Sequence, residues 1–103
     1  MEVVFLGTAA MVPTKERNHS AVFLSYKNEG LLFDCGEGTQ RQLKIAGITV
    51  TKLTRIFITH WHGDHTEGNE FFGKDSTIVA HINVRKRLMD PPVIFGQKTA
   101  PYP

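Results

Sequence analysis

A short apolar segment that ends in a cluster of histidines constrains this chain more than any other feature. Arg55-Ile56-Phe57-Ile58-Thr59 has the composition of a buried strand, and it leads directly into His60-Trp61-His62-Gly63-Asp64-His65. Three of the five histidines of the chain and one carboxylate therefore lie within six residues. A solvated polar loop rarely combines this spacing with a buried strand, whereas a metal site is often built this way. The pattern predicts a sheet with a metal-binding loop at its edge.

The spacing within this loop predicts how its side chains share metal ions. In extended backbone, residues i and i+2 point the same way, so His60 and His62 are expected to bind one ion together. Gly63 allows a tight turn that directs Asp64 and His65 at a second ion. Two ions about 3.5–4 Å apart can share a bridging water and clamp an ester or a phosphodiester. Nitrogen and oxygen ligands suit zinc best, with manganese or iron as alternatives.

Length and composition limit the chain to one domain. Its 103 residues are 41% hydrophobic and 21% charged, as in an ordinary globular protein. No run approaches the roughly 18 apolar residues that span a bilayer, and the first residues do not resemble a signal peptide. The single cysteine, Cys35, excludes an intrachain disulfide and favours a reducing compartment. A cytoplasmic protein without a membrane partner is therefore expected.

The charge of the chain says little about its partners. The net charge of +2 is too small to indicate nucleic-acid binding by itself. Basic residues cluster locally, at Lys15 with Arg17, at Arg41 with Lys44, and at 85–87. Composition alone favours solvated surfaces for all three clusters.

Alternating apolar stretches and glycines predict a layered α/β fold. The expected strands are 2–6, 21–26, 31–34, 53–59 and 77–81, with a hairpin turn at 27–30. The expected helices are one from Thr39 that stops at Gly47, one over 67–72 that stops at Gly73, and one over 84–89. Four of the five prolines lie between Asp90 and Pro103. We therefore expect a domain at 1–90 and an extended, proline-rich tail at 91–103.

The H-x-H-x-D-H loop is the signature of the metallo-β-lactamase superfamily, which the chain resembles. The resemblance implies that His60 and His62 bind the first metal and that Asp64 and His65 bind the second. It also implies that Asp64 orients the nucleophilic water, so that Asp64 and His62 are the expected catalytic residues. The implied fold is one half of a four-layer αββα sandwich, a mixed sheet with helices on one face.

Residues 1–65 are similar to ribonuclease Z, the endonuclease that processes the 3′ end of tRNA. The matching motifs are Phe5-Leu6-Gly7-Thr8, Pro13-Thr14-Lys15-Glu16-Arg17-Asn18 and Phe33-Asp34-Cys35-Gly36-Glu37-Gly38-Thr39-Gln40. The resemblance implies that Lys15, Arg17 and Asn18 contact phosphate. It also implies that Asp34 supports the metal ligands without touching the metal. A phosphodiester substrate, RNA or single-stranded DNA, is therefore expected.

The resemblance changes after His65. Residues 66–90 are similar to other hydrolases of the same fold, and the Gly-Leu-Pro-Gly-Leu-type run of ribonuclease Z is absent. This predicts an engineered or reconstructed chimera, with a divergent natural fragment as the alternative. A complete family site also takes two histidines and an aspartate from a second half. His81 is not expected to replace them, His19 is expected at the surface, and Cys35 is expected to be buried in its turn.

Two functional hypotheses follow. The first is a zinc-dependent hydrolase, a weak phosphodiesterase or nuclease that acts through a metal-activated hydroxide. The second is a metal-binding half-domain without turnover. β-Lactam or thioester hydrolysis rests on residues 66–90 alone and ranks below both. One half of a sandwich leaves a sheet face uncovered, so a homodimer with two-fold symmetry is expected.

Overall fold

A five-stranded mixed sheet forms the body of the protein. The computed structural model describes residues 1–49, 52–72, 76–90, 93–94 and 97–98. The strands are β1 (Glu2–Gly7), β2 (Ala21–Tyr26), β3 (Glu29–Phe33), β4 (Leu53–Ile58) and β5 (Thr77–Ala80), and they neighbour one another in that order. β1, β2 and β3 pair antiparallel, whereas β3, β4 and β5 pair parallel. The predicted α/β fold with a mixed sheet is confirmed.

The helices are α1 (Thr39–Ile45), α2 (Gly63–Thr66) and α3 (Ile82–Met89), and a 3₁₀ turn covers Asn69–Phe71. The prediction of one helix over 67–72 was wrong. Helical turns begin four residues earlier, and Gly68 then donates its N–H to the carbonyl of Cys35, which interrupts the helix. No helix in the described part of the chain is long and apolar enough to cross a bilayer.

The start of α3 also differs from the expected position. The helix begins at Ile82 rather than at Val84, because the side chain of His81 caps it. The Nδ1 atom of His81 accepts a hydrogen bond from the N–H of Asn83 at 3.1 Å. Such a cap satisfies one of the free N–H groups in the first turn of a helix.

The expected extended tail contains a short hairpin. β6 (Val93–Ile94) pairs antiparallel with β7 (Gln97–Lys98). None of these four residues is a proline, so each can join a strand pair, and a strand pair is compatible with an extended tail. The other residues of 91–103 lie outside the described part, and the division at residue 90 stays a prediction.

One face of the sheet carries the core, and we call it the covered face. Its central row crosses all five strands in register: Val4, Phe23, Leu32, Ile56 and Ile78. Leu43 of α1 and Val84 and Leu88 of α3 belong to the same hydrophobic cluster as this row. The helices thus lie on one face, as expected.

The opposite face, which we call the open face, carries a second apolar row. Its members are also in register: Phe5, Val22, Phe33, Phe57 and Val79. The exposed fraction is 71% for Phe5, 38% for Phe33 and 40% for Val79. Apolar area therefore faces solvent across the whole width of the sheet.

Candidate metal centre

Three loops meet at one edge of the sheet. β3 and β4 are parallel with Phe33 opposite Phe57, so the residues that follow both strands emerge side by side. Gly7 pairs with Ala21, which places the β1–β2 connection (8–20) at the same edge. The turn after β3 (34–38) and the loop after β4 (59–62) complete the group. Sites in layered α/β folds are commonly built from loops at such an edge.

Asp34 organises the junction between these loops. Its carboxylate accepts hydrogen bonds from the N–H of Thr59 at 2.8 Å and from the Thr59 hydroxyl at 2.9 and 3.0 Å. The Nδ1 atom of His65 lies 2.8 Å from the same carboxylate. Asp34 is buried and has a φ of 61°, a left-handed conformation that costs energy for a residue with a side chain. These hydrogen bonds offset that cost and fix the orientation of His65.

His60, His62 and Asp64 converge at the end of β4. Each offers one ligand atom, and these atoms lie within 4.8 Å of one another. The imidazole rings of His60 and His62 are 5.0 Å apart between centroids and nearly perpendicular. His60 and Asp64 are half-buried and His62 is exposed. An ion bound by this group would therefore be open to solvent on one side.

His65 adjoins this group through Asp64. Its Nε2 atom lies 3.1 Å from a carboxylate oxygen of Asp64. With the ring proton on Nδ1 and donated to Asp34, the Nε2 lone pair faces that oxygen, and the two repel unless they share a cation. Zinc–ligand distances of 2.0–2.2 Å place tetrahedral ligands about 3.4 Å apart, close to the spacing of this pair. The four side chains therefore fit a zinc site in which Asp64 is within reach of both histidine groups.

The protonation of His60 also suits metal binding. Partial burial and the neighbouring imidazoles of His65 and His62 lower the pKa of His60 below its ordinary value. Neutral imidazole is the form of histidine that binds metals. The loop therefore holds this histidine ready as a ligand at neutral pH.

The backbone of the turn at 34–36 packs directly against the backbone of the histidine loop. Cys35 donates its N–H to the carbonyl of His65 at 2.7 Å, and its carbonyl accepts from the N–H of Gly68 at 2.9 Å. A side chain on Gly36 would clash with the carbonyl of Asp64, so only glycine allows this approach. Cys35 is fully buried, as expected, and burial raises the pKa of its thiol to about 12. The thiol thus stays protonated and is a poor ligand or nucleophile.

The residues expected to contact phosphate lie in the β1–β2 connection. Lys15 and Arg17 are exposed in a turn closed by two hydrogen bonds between Thr14 and Arg17, at 2.8 and 3.0 Å. Asn18 instead donates its side-chain amide to the carbonyl of Glu37 at 2.8 Å. This bond joins the β1–β2 connection to the turn after β3. The structure therefore places Asn18 at the edge that carries the histidine loop, with its amide already engaged, and Lys15 and Arg17 in the exposed turn that precedes it.

The expectation of a surface position for His19 was wrong. Only 7% of this residue is exposed, because a β-bridge to Ala9 and close packing on Gly36 bring it under the loops. A sequence signal existed, since strand alternation puts residue 19 on the same side as Ala21 and Phe23, both of which are buried. His81, by contrast, belongs to no group of metal-capable side chains found in the described part of the chain.

Two side chains near the site were not identified from the sequence. Thr59 binds Asp34, as described above. The Trp61 ring packs at a tilt of 59° against the His62 ring, with centroids 4.7 Å apart, and the guanidinium of Arg87 lies 5.9 Å from the Trp61 ring. This contact joins the histidine loop to α3 across 26 positions of sequence. No local pattern indicates such a pairing, because it depends on how α3 folds back over the sheet.

The mixed sheet, the helices on one face and the H-x-H-x-D-H loop at the edge define a partial metallo-β-lactamase fold. A subclass B3 metallo-β-lactamase from a soil metagenome library, MEM-A1, superposes with a TM-score of 0.72 at 19% identity. The superposition covers 98% of this chain and 40% of that enzyme. The chain belongs to the family described as Anti-Pycsar protein Apyc1, whose sequence model matches residues 1–91.

Ribonuclease Z sequences are also similar to this chain. The enzyme from Methanothermobacter thermautotrophicus is 62% identical over 68 residues, which cover 66% of this chain and 22% of the relative. The one from Pyrococcus abyssi is 53% identical over 100 residues, 97% of this chain and 30% of the relative. The chain thus spans less than a third of the length of these relatives. The predicted likeness to ribonuclease Z is confirmed, and in the Pyrococcus relative it continues past His65. That the chain is a chimera stays a prediction.

Proposed function

We propose that this chain is a zinc-dependent phosphodiesterase that acts on RNA or single-stranded DNA. The observation that carries the proposal is the convergence of His60, His62 and Asp64 within 4.8 Å, beside a His65 oriented by Asp34. The fit of these donors to zinc and the similarity to proteins named ribonuclease Z support it.

Zinc bound at this site would lower the pKa of a water towards about 7 and so supply a hydroxide nucleophile. Side chains of the protein orient the ligands, orient the water and bind the phosphate. Asp34 accepts a hydrogen bond from the Nδ1–H of His65 and so keeps the Nε2 atom directed at the ligand group. The carboxylate of Asp64 orients the attacking water and accepts its proton. Lys15 and Arg17, exposed in the β1–β2 connection, bind the phosphate charge.

Replacing His62 by alanine tests the metal site. We expect the zinc bound at the histidine loop and the cleavage of a generic phosphodiester, a short RNA and a short single-stranded DNA to fall together. The loss of metal affinity and of cleavage should exceed about 100-fold. Substitution of residues that only hydrogen-bond to metal ligands already costs about 10–100-fold in metal affinity or activity. The matched control is His81→Ala, an exposed histidine outside the cluster that should keep both zinc and cleavage. Cleavage that survives both His62→Ala and chelation would overturn the proposal.

Charge reversal of the substrate contacts tests the nucleic-acid assignment. Lys15→Glu and Arg17→Glu should raise KM for the nucleic acids, and the difference should shrink as salt screens the charges. Lys27→Glu is the control, because Lys27 lies in the β2–β3 turn at the opposite edge of the sheet. Equal effects of all three substitutions would show that Lys15 and Arg17 have no special role.

A second candidate function has its own supporting observation. The open face exposes an apolar row across five strands, and a second copy that covered it would form a sandwich of two sheets. In this alternative, the chain is a dimeric metal-binding half-domain without turnover. Stoichiometric zinc with no cleavage of any of the three substrates would favour it. A monomeric mass in solution at micromolar concentration would exclude the homodimer.

A further inference from the structure

A second group of possible metal ligands shares no residue with the histidine loop. His19, Glu37 and Glu67 each offer one ligand atom, and these atoms lie within 4.8 Å of one another. They come from three different segments: the end of the β1–β2 connection, the turn after β3, and the residue that follows α2. None of the three belongs to the proposed hydrolytic site.

His19 is the strongest sign that this group binds something. The residue is 7% exposed, and neither Nδ1 nor Nε2 has a hydrogen-bond partner among the described residues. A buried polar atom without a partner costs about 1–3 kcal/mol, so such atoms are rare in folded proteins. The two carboxylates lie near the ring, but neither is hydrogen-bonded or ion-paired to it. A ligand between them and the imidazole would satisfy His19.

The carboxylates face an open depression. Glu37, Glu67, Glu70 and Phe71 line this depression, which has a volume of about 350 Å³. In the part of the chain that the structure describes, no lysine or arginine forms an ion pair with any of these three glutamates. Negative charge is therefore concentrated beside the imidazole of His19. A cation can approach from the solvent side and meet the imidazole at the buried end.

We propose that His19, Glu37 and Glu67 form a second site for a divalent transition-metal ion. One imidazole nitrogen with two carboxylate oxygens is a donor set that suits zinc or manganese, whereas calcium prefers oxygen ligands alone. An ion there ties together the segments that flank the histidine loop, because Glu67 follows α2 and Glu37 follows the turn that binds His65. Its role is to hold the loops in place, independently of any hydrolysis.

Counting zinc in variants tests the proposal without reference to activity. The double variant His60→Ala/His62→Ala removes the histidine loop as a site and should retain one zinc per chain, measured by native mass spectrometry and by equilibrium dialysis against zinc chloride. Adding Glu37→Gln should lower the affinity for the remaining zinc by more than about 10-fold, as loss of a metal-site residue does. Glu37 is exposed, so this substitution leaves the core intact.

Glu70→Gln is the matched control, because Glu70 lines the same depression but lies outside the ligand group. This substitution should leave the affinity for the remaining zinc unchanged. Glu67→Gln provides a second variant with the same expected loss as Glu37→Gln. X-ray absorption of the retained zinc should show one imidazole among oxygen ligands. The proposal is overturned if the double variant binds no zinc, or if Glu37→Gln and Glu70→Gln lower the affinity for the retained zinc equally.

Discussion

The two faces of the sheet carry the same pattern and have opposite environments. On the covered face, Leu32 and Ile56 are fully buried under the helices. On the open face, Phe33 and Val79 occupy the equivalent row and are 38% and 40% exposed. Both rows are apolar from edge to edge, so alternation of polar and apolar residues does not distinguish them. The difference shows that the helices decide which face is the core, and that the other face leaves its apolar row exposed.

The largest expected effect is on the free energy of unfolding, which should depend much more on side chains of the covered face than on those of the open face. Leu32→Ala should lower the free energy of unfolding by about 2–5 kcal/mol, because it leaves a cavity in packed surroundings. Phe33→Ala, one residue along the same strand, should cost only about 0.5–1.5 kcal/mol, the worth of its stacked pair with Phe57. Urea unfolding of both variants and the parent, at a concentration where the chain is monomeric, measures the difference. Equal losses would show that the open face is also packed in solution.

An intermediate effect tests whether a second copy covers the open face. Phe5→Glu places a charge on that face at a position that is 71% exposed, so the monomer should fold normally. If the homodimer forms, the substitution should weaken it by about 2 kcal/mol, roughly 30-fold in the dissociation constant. Met11→Glu is the control, since Met11 is 76% exposed and lies outside the sheet. Sedimentation of the parent and both variants gives the dissociation constants, and a dimer unaffected by Phe5→Glu must use another surface.

The smallest expected effect concerns the polar part of the open face. Arg55 and Glu29 form an ion pair there at 2.8 Å, with side chains 47% and 45% exposed. Exposed pairs contribute about 0–1 kcal/mol, and salt reduces this further. Glu29→Gln should therefore change the free energy of unfolding of the monomer by less than about 1 kcal/mol. A larger loss would mean that the pair is desolvated, which happens only if the open face is covered.

Much of the fold could be predicted because local patterns determine it. The five strands follow from apolar alternation, and the histidine loop follows from its spacing after β4. The helix expected over 67–72 could not be placed, because the N–H of Gly68 bonds to Cys35, more than thirty positions away. Long-range backbone contacts of this kind leave no trace in a local window of sequence.

The sites were predictable to different degrees. His60, His62, Asp64 and His65 are close in sequence, so their convergence could be expected from one loop. His19, Glu37 and Glu67 are spread over almost fifty positions and meet only because three loops share one sheet edge. Their grouping depends on the register of β1, β2 and β3, and spacing alone does not indicate it. His19, which precedes a strand next to Asn18, was expected at the surface, although strand alternation puts it on the side of the buried Ala21 and Phe23.

The backbone hydrogen bonds between Cys35 and the segment after His62 bear on whether the loop needs a metal ion in order to fold. Because His65 and Gly68 are held by the turn at 34–36 through main-chain atoms, the loop does not need an ion to take its shape. In small zinc domains the free energy of metal binding is also the free energy of folding. Here the fold can form without the ion, so a chelator should strip the metal and leave circular dichroism nearly unchanged. The urea midpoint should still fall, because the stabilisation that a bound ion gives the native state is lost. The loop is therefore a preformed candidate metal site, whose occupancy can change while the fold persists.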